Sequence, residues 1–258
     1  MKKIIHLSDL HIGFNGQDLK RRLEGIVQSI IFVKESAKDY VIVLTGDLVE
    51  KATDLASHQA AKINLEILQS HGFKVLVIPG NHDYGTGTNA NHKYQKKFKQ
   101  LFYDDENLIF PKLDIIDEIA FIGLDSMEAE MHTFDKLGAN GELGIEQRNR
   151  LEALLDQELV KKCNFRVVYL HHHPFDPWLF HELKDSTELG DILQKHGNID
   201  AILFGHNHHF RKWNGKWGIP RCYDAGSSTL KNDGFSLHRV IDLSKPPSED
   251  YDADFFLE

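Results

Sequence analysis

The sequence predicts an α/β fold built on a parallel sheet, and three observations carry that expectation. Short apolar, β-branched runs alternate with helical periodicity: Lys3–Leu7, a helix, Tyr40–Leu44, a second helix, then Lys74–Ile78. A β-α-β-α-β order calls for parallel strands joined by right-handed crossovers. The run Tyr40-Val41-Ile42-Val43-Leu44 holds no charged residue, which suits a strand buried on both faces. The third observation is where the strands stop. Each leads into a polar cluster, and the carboxyl ends of strands are where α/β proteins keep their ligands.

The remaining elements follow in chain order. Leu19, Leu23, Ile26, Val27, Ile30 and Ile31 recur at helical spacing and predict an amphipathic helix to about Lys38. The second helix is expected from about Asp54 to Ser70, with Gly72 as its C-terminal cap. Residues 84–106 read as a loop and a helix at the rim of a site, carrying Lys93, Lys96, Lys97 and Lys99 on a solvated face. Leu108–Phe110 and Ile119–Leu124 read as strands of a second, more antiparallel section, and Asp125–Glu142 as an extended loop. A helix over Gly144–Leu159 would bury Leu151, Leu154, Leu155 and Leu159 on one face. Phe165–Leu170 is a buried strand, Thr187–His196 a helix capped by Gly197, and Ala201–Phe204 another strand. Hairpin-like strands are expected near 210–213, 219–224 and 234–241.

Composition narrows the function classes. A chain of 258 residues, 41% hydrophobic and without a Pro/Ser-rich linker, reads as one domain over 1–258. Lysine and arginine number 30 against 39 acids, a net charge of −9. That balance argues against nonspecific nucleic-acid or anionic-membrane binding, which needs clustered positive charge. Cys163 and Cys222 form no CxxC pair, which suits a reducing compartment. The opening Met1-Lys2-Lys3 is basic, but His6, Ser8, Asp9 and His11 interrupt any apolar h-region, so a cytoplasmic location is expected, with no membrane span.

Five strand ends gather chemistry: Asp9 and His11, Asp47, Asn81 and His82, His171, and His206 and His208. Asn81-His82-Asp83 follows Pro79-Gly80, where a glycine lets the backbone turn and present three side chains beyond the strand. All are metal-ligand types and none is cysteine, which disfavours a closed structural zinc site. Imidazole mixed with Asp and Asn oxygen suits Mn, Fe, Co or Zn. There are too many donors for one tetrahedral ion, whereas two ions sharing a carboxylate would use them all. Of the three consecutive histidines, strand alternation puts His171 and His173 on one side and His172 on the other. Either His171 or His172 could then face the site, with His173 at its rim or behind the ligands. His58, His92 and His209 read as solvent-facing.

The ordered set Asp9-x-His11, Gly46-Asp47, Gly80-Asn81-His82-Asp83, His171 and Gly205-His206-x-His208 resembles the calcineurin-like metallophosphoesterases. The resemblance covers positions 4 to about 210. It implies a four-layer α/β/β/α sandwich of two packed mixed β-sheets flanked by helices. It also implies that Asp9, His11, Asp47 and His208 hold one divalent ion, that Asp47, Asn81, His171 and His206 hold the other, and that Asp47 bridges them. His82 would be the catalytic imidazole facing substrate or leaving group, its ring held by Asp83 or a neighbouring acid.

Subfamily signals are partly negative. Leu48-Val49-Glu50-Lys51 follows Gly46-Asp47, not the Asp-Arg-Gly of Ser/Thr protein phosphatases, and Glu50 stands where purple acid phosphatases have a metal-binding tyrosine. The compact Gly-Asn-His-Asp and Gly-His-Asn-His forms are similar to those of bacterial class III cyclic-nucleotide and glycerophosphodiester phosphodiesterases. The expected function is hydrolysis of a small phosphodiester, a nucleotide among the candidates, by attack of a metal-bound water. A nuclease or nucleotide pyrophosphatase is the alternative within the superfamily. A metal-free protein-binding scaffold is disfavoured by the complete donor set. Loops 84–106, 125–142 and 174–186 would shape the pocket.

Overall fold

The structure, a computed structural model, describes residues 2–16, 18–32, 36–132, 139–176, 181–230 and 237–254. Its strands are β1 (Lys3–Leu7), β2 (Tyr40–Thr45), β3 (Lys74–Ile78), β4 (Lys112–Ile116), β5 (Ile119–Gly123), β6 (Phe165–Tyr169), β7 (Ala201–Phe204), β8 (Arg221–Asp224), β9 (Leu237–Asp242) and β10 (Tyr251–Asp254). The helices are α1 (Leu19–Ile31), α2 (Leu55–Ser70), α3 (His92–Tyr103), α4 (Gly144–Leu155), α5 (Glu158–Lys161) and α6 (Ser186–His196). The strands form two five-stranded sheets, ordered β10-β9-β1-β2-β3 and β4-β5-β6-β7-β8.

Period-two alternation explains why there are four layers. In β2, Ile42 and Leu44 face α1 and α2, while Val41 and Val43 face the other sheet. In β7, Ile202 and Phe204 pack toward α4 and α6, while Ala201 and Leu203 meet the first sheet. Strands with two apolar faces thus sit between a helix layer and a sheet, which is the expected α/β/β/α sandwich. Asp18 and Asp54 cap α1 and α2 by accepting from the main-chain amides of Arg21 and Ser57 at 3.1 and 3.0 Å. The β1-β2-β3 and β5-β6-β7-β8 pairings are all parallel, so the carboxyl ends of each set emerge together.

Several expectations are corrected. The helix after β1 ends at Ile31 rather than near Lys38. Residues 108–110 form no strand; β4 is Lys112–Ile116, whose mixed polar and apolar residues fit an edge strand. The second sheet is mainly parallel, with only β4–β5 antiparallel. The helix begun at Gly144 stops at Leu155, and Leu159, on the separate turn α5, is 59% exposed. The hairpin expected around 210–224 is one isolated bridge, Lys212 to Tyr223, because β8 continues the second sheet beside β7. The last expected strand, β9, returns to the first sheet beside β1; residues 234–236 of its expected span lie outside the described residues, as do 133–138 and 177–180 of the two later pocket loops.

Cys163 and Cys222 are free thiols. Among the described residues, no helix is long and apolar enough to cross a membrane.

Candidate metal centre

The loops after β1, β2, β3, β6 and β7 converge where the two sheets' strand ends adjoin. The turns that deliver the side chains are strained: Asp9, His11, Asp47, His206 and His208 have φ of 52°, 44°, 51°, 77° and 54°. Non-glycine residues rarely adopt the left-handed region, and such strain persists only where the surroundings over-determine it. The glycines beside them permit close approach. A Cβ on Gly80 would lie 2.1 Å from Asp47 Oδ1, and one on Gly205 would lie 2.4 Å from Asp9 Oδ2.

The hydrogen positions follow from the partners. His171 Nδ1 is 2.6 Å from the Thr45 carbonyl, which can only accept, so Nδ1 carries the hydrogen and Nε2 presents a lone pair. Asn81 donates its amide to the Gly87 carbonyl at 2.8 Å, so its Oδ1 points inward. Nε2 of His171 then faces Asn81 Oδ1 at 3.0 Å, His206 Nδ1 at 3.2 Å and Asp47 Oδ2 at 3.3 Å. On the other side, His11 donates Nδ1–H to Glu50 Oε2 at 3.0 Å, leaving Nε2 to face His208 Nε2 at 2.9 Å and Asp9 Oδ1 at 3.7 Å. Asp9 Oδ1 is buried with no hydrogen-bond partner and lies 3.3 Å from His208 Nε2. Asp47 Oδ2 belongs to both groups, since it is also 3.7 Å from His11 Nε2.

Acceptors facing acceptors repel one another unless a cation lies among them. An ion about 2.1 Å from each donor sets neighbouring donors ~3.0–3.4 Å apart, which the 2.9–3.7 Å separations here match. Asp9, His11 and His208 make one set of donors within 4.8 Å of one another, and Asp47, His171 and His206 make another. The residues fit two divalent ions.

Protonation carries the same message. Burial alone would lower the His11 imidazole, but the carboxylates of Asp9, Glu50 and Asp47 outweigh it and raise it to about 10. Burial would likewise lower His171, yet Asp47 and Asp9 raise it to about 9. A proton is the smallest cation that relieves these clusters.

The other expected residues fall into place around this frame. His82 donates its main-chain amide to Asp47 Oδ1 at 2.9 Å, while its ring Nδ1 donates to the Glu50 carbonyl at 2.7 Å. Its Nε2 edge lies 4.0 Å from Asp47 Oδ2. Asp83 does not hold that ring. Its carboxylate is fully buried and accepts from the amides of Leu48 and Gly80 at 3.0 and 2.9 Å, bracing the loops after β2 and β3. Burial pushes that carboxyl up to about 8. The ring of His172 has Nδ1 2.7 Å from Ser126 Oγ and lies 4.4 Å from the ring of His206.

His173 is not at a rim but 1% exposed among Phe175, Phe204 and Trp213. His58 is buried beside Phe98 and Phe102, His209 is half-buried, and only His92 among the three is exposed. Lys99 also leaves the expected solvated face: it is buried and donates to the Leu108 carbonyl at 2.8 Å.

Sequence reasoning missed the stretch that braces the first ligand loop. Ser227 and Thr229 donate side-chain hydroxyls to the carbonyls of Asp9 and Leu10, both at 2.6 Å, and the Ser228 amide donates to the Ser8 carbonyl at 2.9 Å. The signal was there, since β8 also runs into a glycine and a polar cluster, Gly226-Ser227-Ser228-Thr229.

Two packed α/β sheets that pool Asp, Asn and His donors at adjoining strand ends define a phosphoester hydrolase of the metal-dependent class. The family model for calcineurin-like phosphoesterases matches residues 2–210, and the chain belongs to that family. It is 26% identical over 226 residues to the 3',5'-cyclic adenosine monophosphate phosphodiesterase CpdA of Haemophilus influenzae, covering 83% of this chain and 73% of that protein. It is 28% identical over 215 residues to a "Probable cyclic nucleotide phosphodiesterase" of Vesicomyosocius okutanii, covering 80% and 78%. A dimetal phosphatase from Danio rerio shares the fold, with a TM-score of 0.67 at 13% identity over 98% of this chain and 99% of that one.

Proposed function

We propose that the chain is a dinuclear-metal phosphodiesterase acting on small diesters of the cyclic-nucleotide class. The carrying observation is Asp47 Oδ2, 3.3 Å from the free edge of His171 and 3.7 Å from that of His11, a single carboxylate oxygen shared by two donor sets. Asp9, His11, Asp47 and His208 would hold one ion, and Asp47, Asn81, His171 and His206 the other. The ions supply electrophilic stabilisation of charge building on the phosphoryl oxygens and a nucleophile ionised near neutral pH.

The chain's own residues do the rest. Thr45 and Glu50 fix the tautomers of His171 and His11 so that each presents Nε2 inward. The Glu50 carbonyl does the same for His82, leaving its Nε2 edge inward, where the ring in its imidazolium form would give the Nε2 proton to a departing oxygen and be left as the neutral Nδ1–H tautomer. The ring is 20% exposed, open to a bound substrate but shielded from bulk water. The choice of a diester rests on the names of the curated relatives, and Mn, Fe, Zn and Co all suit the donors.

The test is a panel with each of those metals added back: cyclic nucleotides, bis-p-nitrophenyl phosphate, p-nitrophenyl phosphate, a dinucleotide and a nucleoside diphosphate ester. Cyclic nucleotides should give the highest kcat/KM. Preference for the monoester would overturn the reading, and preference for polynucleotide or pyrophosphate would replace it with a nuclease or a pyrophosphatase.

A further inference from the structure

We propose that Glu50 is a positioning residue that keeps one ion's ligand and the substrate-facing imidazole in register. This rests on the dinuclear reading above. The two arms of the contact belong to different parts of one residue. The carboxylate Oε2 accepts from His11 Nδ1 at 3.0 Å, and the main-chain carbonyl accepts from His82 Nδ1 at 2.7 Å. Both imidazoles are thereby forced into the same tautomer, hydrogen on Nδ1 and Nε2 toward the centre.

The platform is firm. The Glu50 amide donates to the Ile12 carbonyl at 3.1 Å and Ile12 bridges Val49, so the stretch bearing Glu50 is stitched alongside the stretch bearing His11. The rings of His11 and His82 meet edge to face at 4.8 Å, which leaves little room for either to turn alone.

A different reading of the same atoms is a third ion held by His11, Glu50 and His82, whose donors also cluster within 4.8 Å. The hydrogen bonds oppose it. The His82 nitrogen nearest Glu50 must carry a hydrogen to satisfy the carbonyl at 2.7 Å, so it has no lone pair to give. Glu50 thus acts through the imidazoles rather than on an ion. It occupies the position where the purple acid phosphatase pattern places a ligand, but it reaches back to brace His11.

The test reads metal binding, so it is independent of which ester the enzyme cleaves. Calorimetric titration of Mn into chelator-stripped protein should show two ions in the wild type. Glu50→Ala should weaken one of the two by about 10–100-fold, the usual effect of losing a partner behind a ligating histidine, and leave the other unchanged. Glu50→Gln, whose amide oxygen can still accept from Nδ1–H, should recover most of that loss. The His82 contact runs through the main chain, so the His82 Nδ1–H resonance should stay hydrogen-bonded and exchange-protected in both variants. If Glu50→Ala fails to fold in a thermal melt, Glu50→Asp, too short to span the contact, replaces it. Unchanged affinity for both ions, equal weakening of both, or a Gln variant no better than Ala would overturn the assignment. Two ions with the expected Glu50 effect but no diester hydrolysis would sustain it while ending the functional reading.

Discussion

Asp250 and Asp47 are both buried carboxylates, yet their surroundings are opposites. Asp250 is ringed by donors: Arg221 Nε and the Tyr223 hydroxyl reach Oδ2 at 2.7 Å each, and the Asp242 amide reaches Oδ1 at 3.1 Å. Its charge is closed within the protein, and what it does is join β8 of one sheet to β9 of the other. Asp47 has one donor, the His82 amide, on Oδ1, while Oδ2 looks at imidazole nitrogens that present lone pairs. Buried polar groups normally find partners. A carboxylate whose partners are donors is architecture. One whose partners are acceptors is waiting for a cation.

The comparison breaks most visibly at Asp47. Asp47→Ala should take metal content from about two ions per chain to below one and abolish hydrolysis, since both donor sets lose their shared anion. Elemental analysis after reconstitution checks this, and full occupancy in the variant would put the bridge elsewhere. His82→Ala comes next: metal content should stay near wild type while kcat falls by roughly 10²–10⁴, the range for a lost proton donor. The fall should be smaller for nitrophenyl esters, whose leaving group departs unprotonated. An equal fall across leaving groups would make the ring a charge stabiliser instead of an acid.

At the closed cluster the effects reverse. Arg221→Ala strands the Asp250 charge and should lower stability by about 3–5 kcal/mol, as broken buried pairs do, with metal stoichiometry intact. Denaturant melts on the chelated and loaded protein read both quantities, and loss of metal in this variant would blur the division. The smallest effect is the one that sharpens the contrast. With ions stripped, His11 and His171 titrate at about 10 and about 9, above the ordinary imidazole value of 6.5. Their contribution to stability is therefore fully present below about pH 6.5 and drains away as pH rises through 9 and 10. The chelated protein's Tm should decline over that window and the loaded protein's should not, because ions replace the protons. A flat chelated profile would show that the open cluster does not carry the charge described.

The open half of this division was legible in the residues, the closed half around Asp250 was not, and the parts of the fold that escaped share a cause. β1, β2, β3, β6 and β7 were found to within a residue or so because each runs into a buried, largely apolar stretch. The seven metal-type residues stood out because each follows such a run. Edge and joining elements failed instead: β4 is half polar, and the partners of β8 and β9 are set by sheet-to-sheet contacts that no local pattern records. Asp83 was misjudged for a related reason. Sequence adjacency put it beside His82, but the turn aims its carboxylate at the main chain of the neighbouring loop, and Glu50, thirty-two positions away, meets the ring instead. His58, His173 and Lys99 show that titratable residues near a core are covered by aromatic neighbours drawn from distant segments.

The return of the chain from β8 to β9 has a consequence for synthesis. Lys3 on the first strand pairs with Asp242, and the loop carrying Asp9 is pinned by Ser227, Ser228 and Thr229. At about 5–20 residues per second, a growing chain spends on the order of ten seconds or more with its first strand made and that strand's outer neighbour not yet present. Throughout that interval β1 offers an unpaired edge to any passing strand. The first ligand loop is thus completed only by residues that emerge 218 positions after it, so products truncated before Ser227 should accumulate as aggregates rather than as metal-free enzyme.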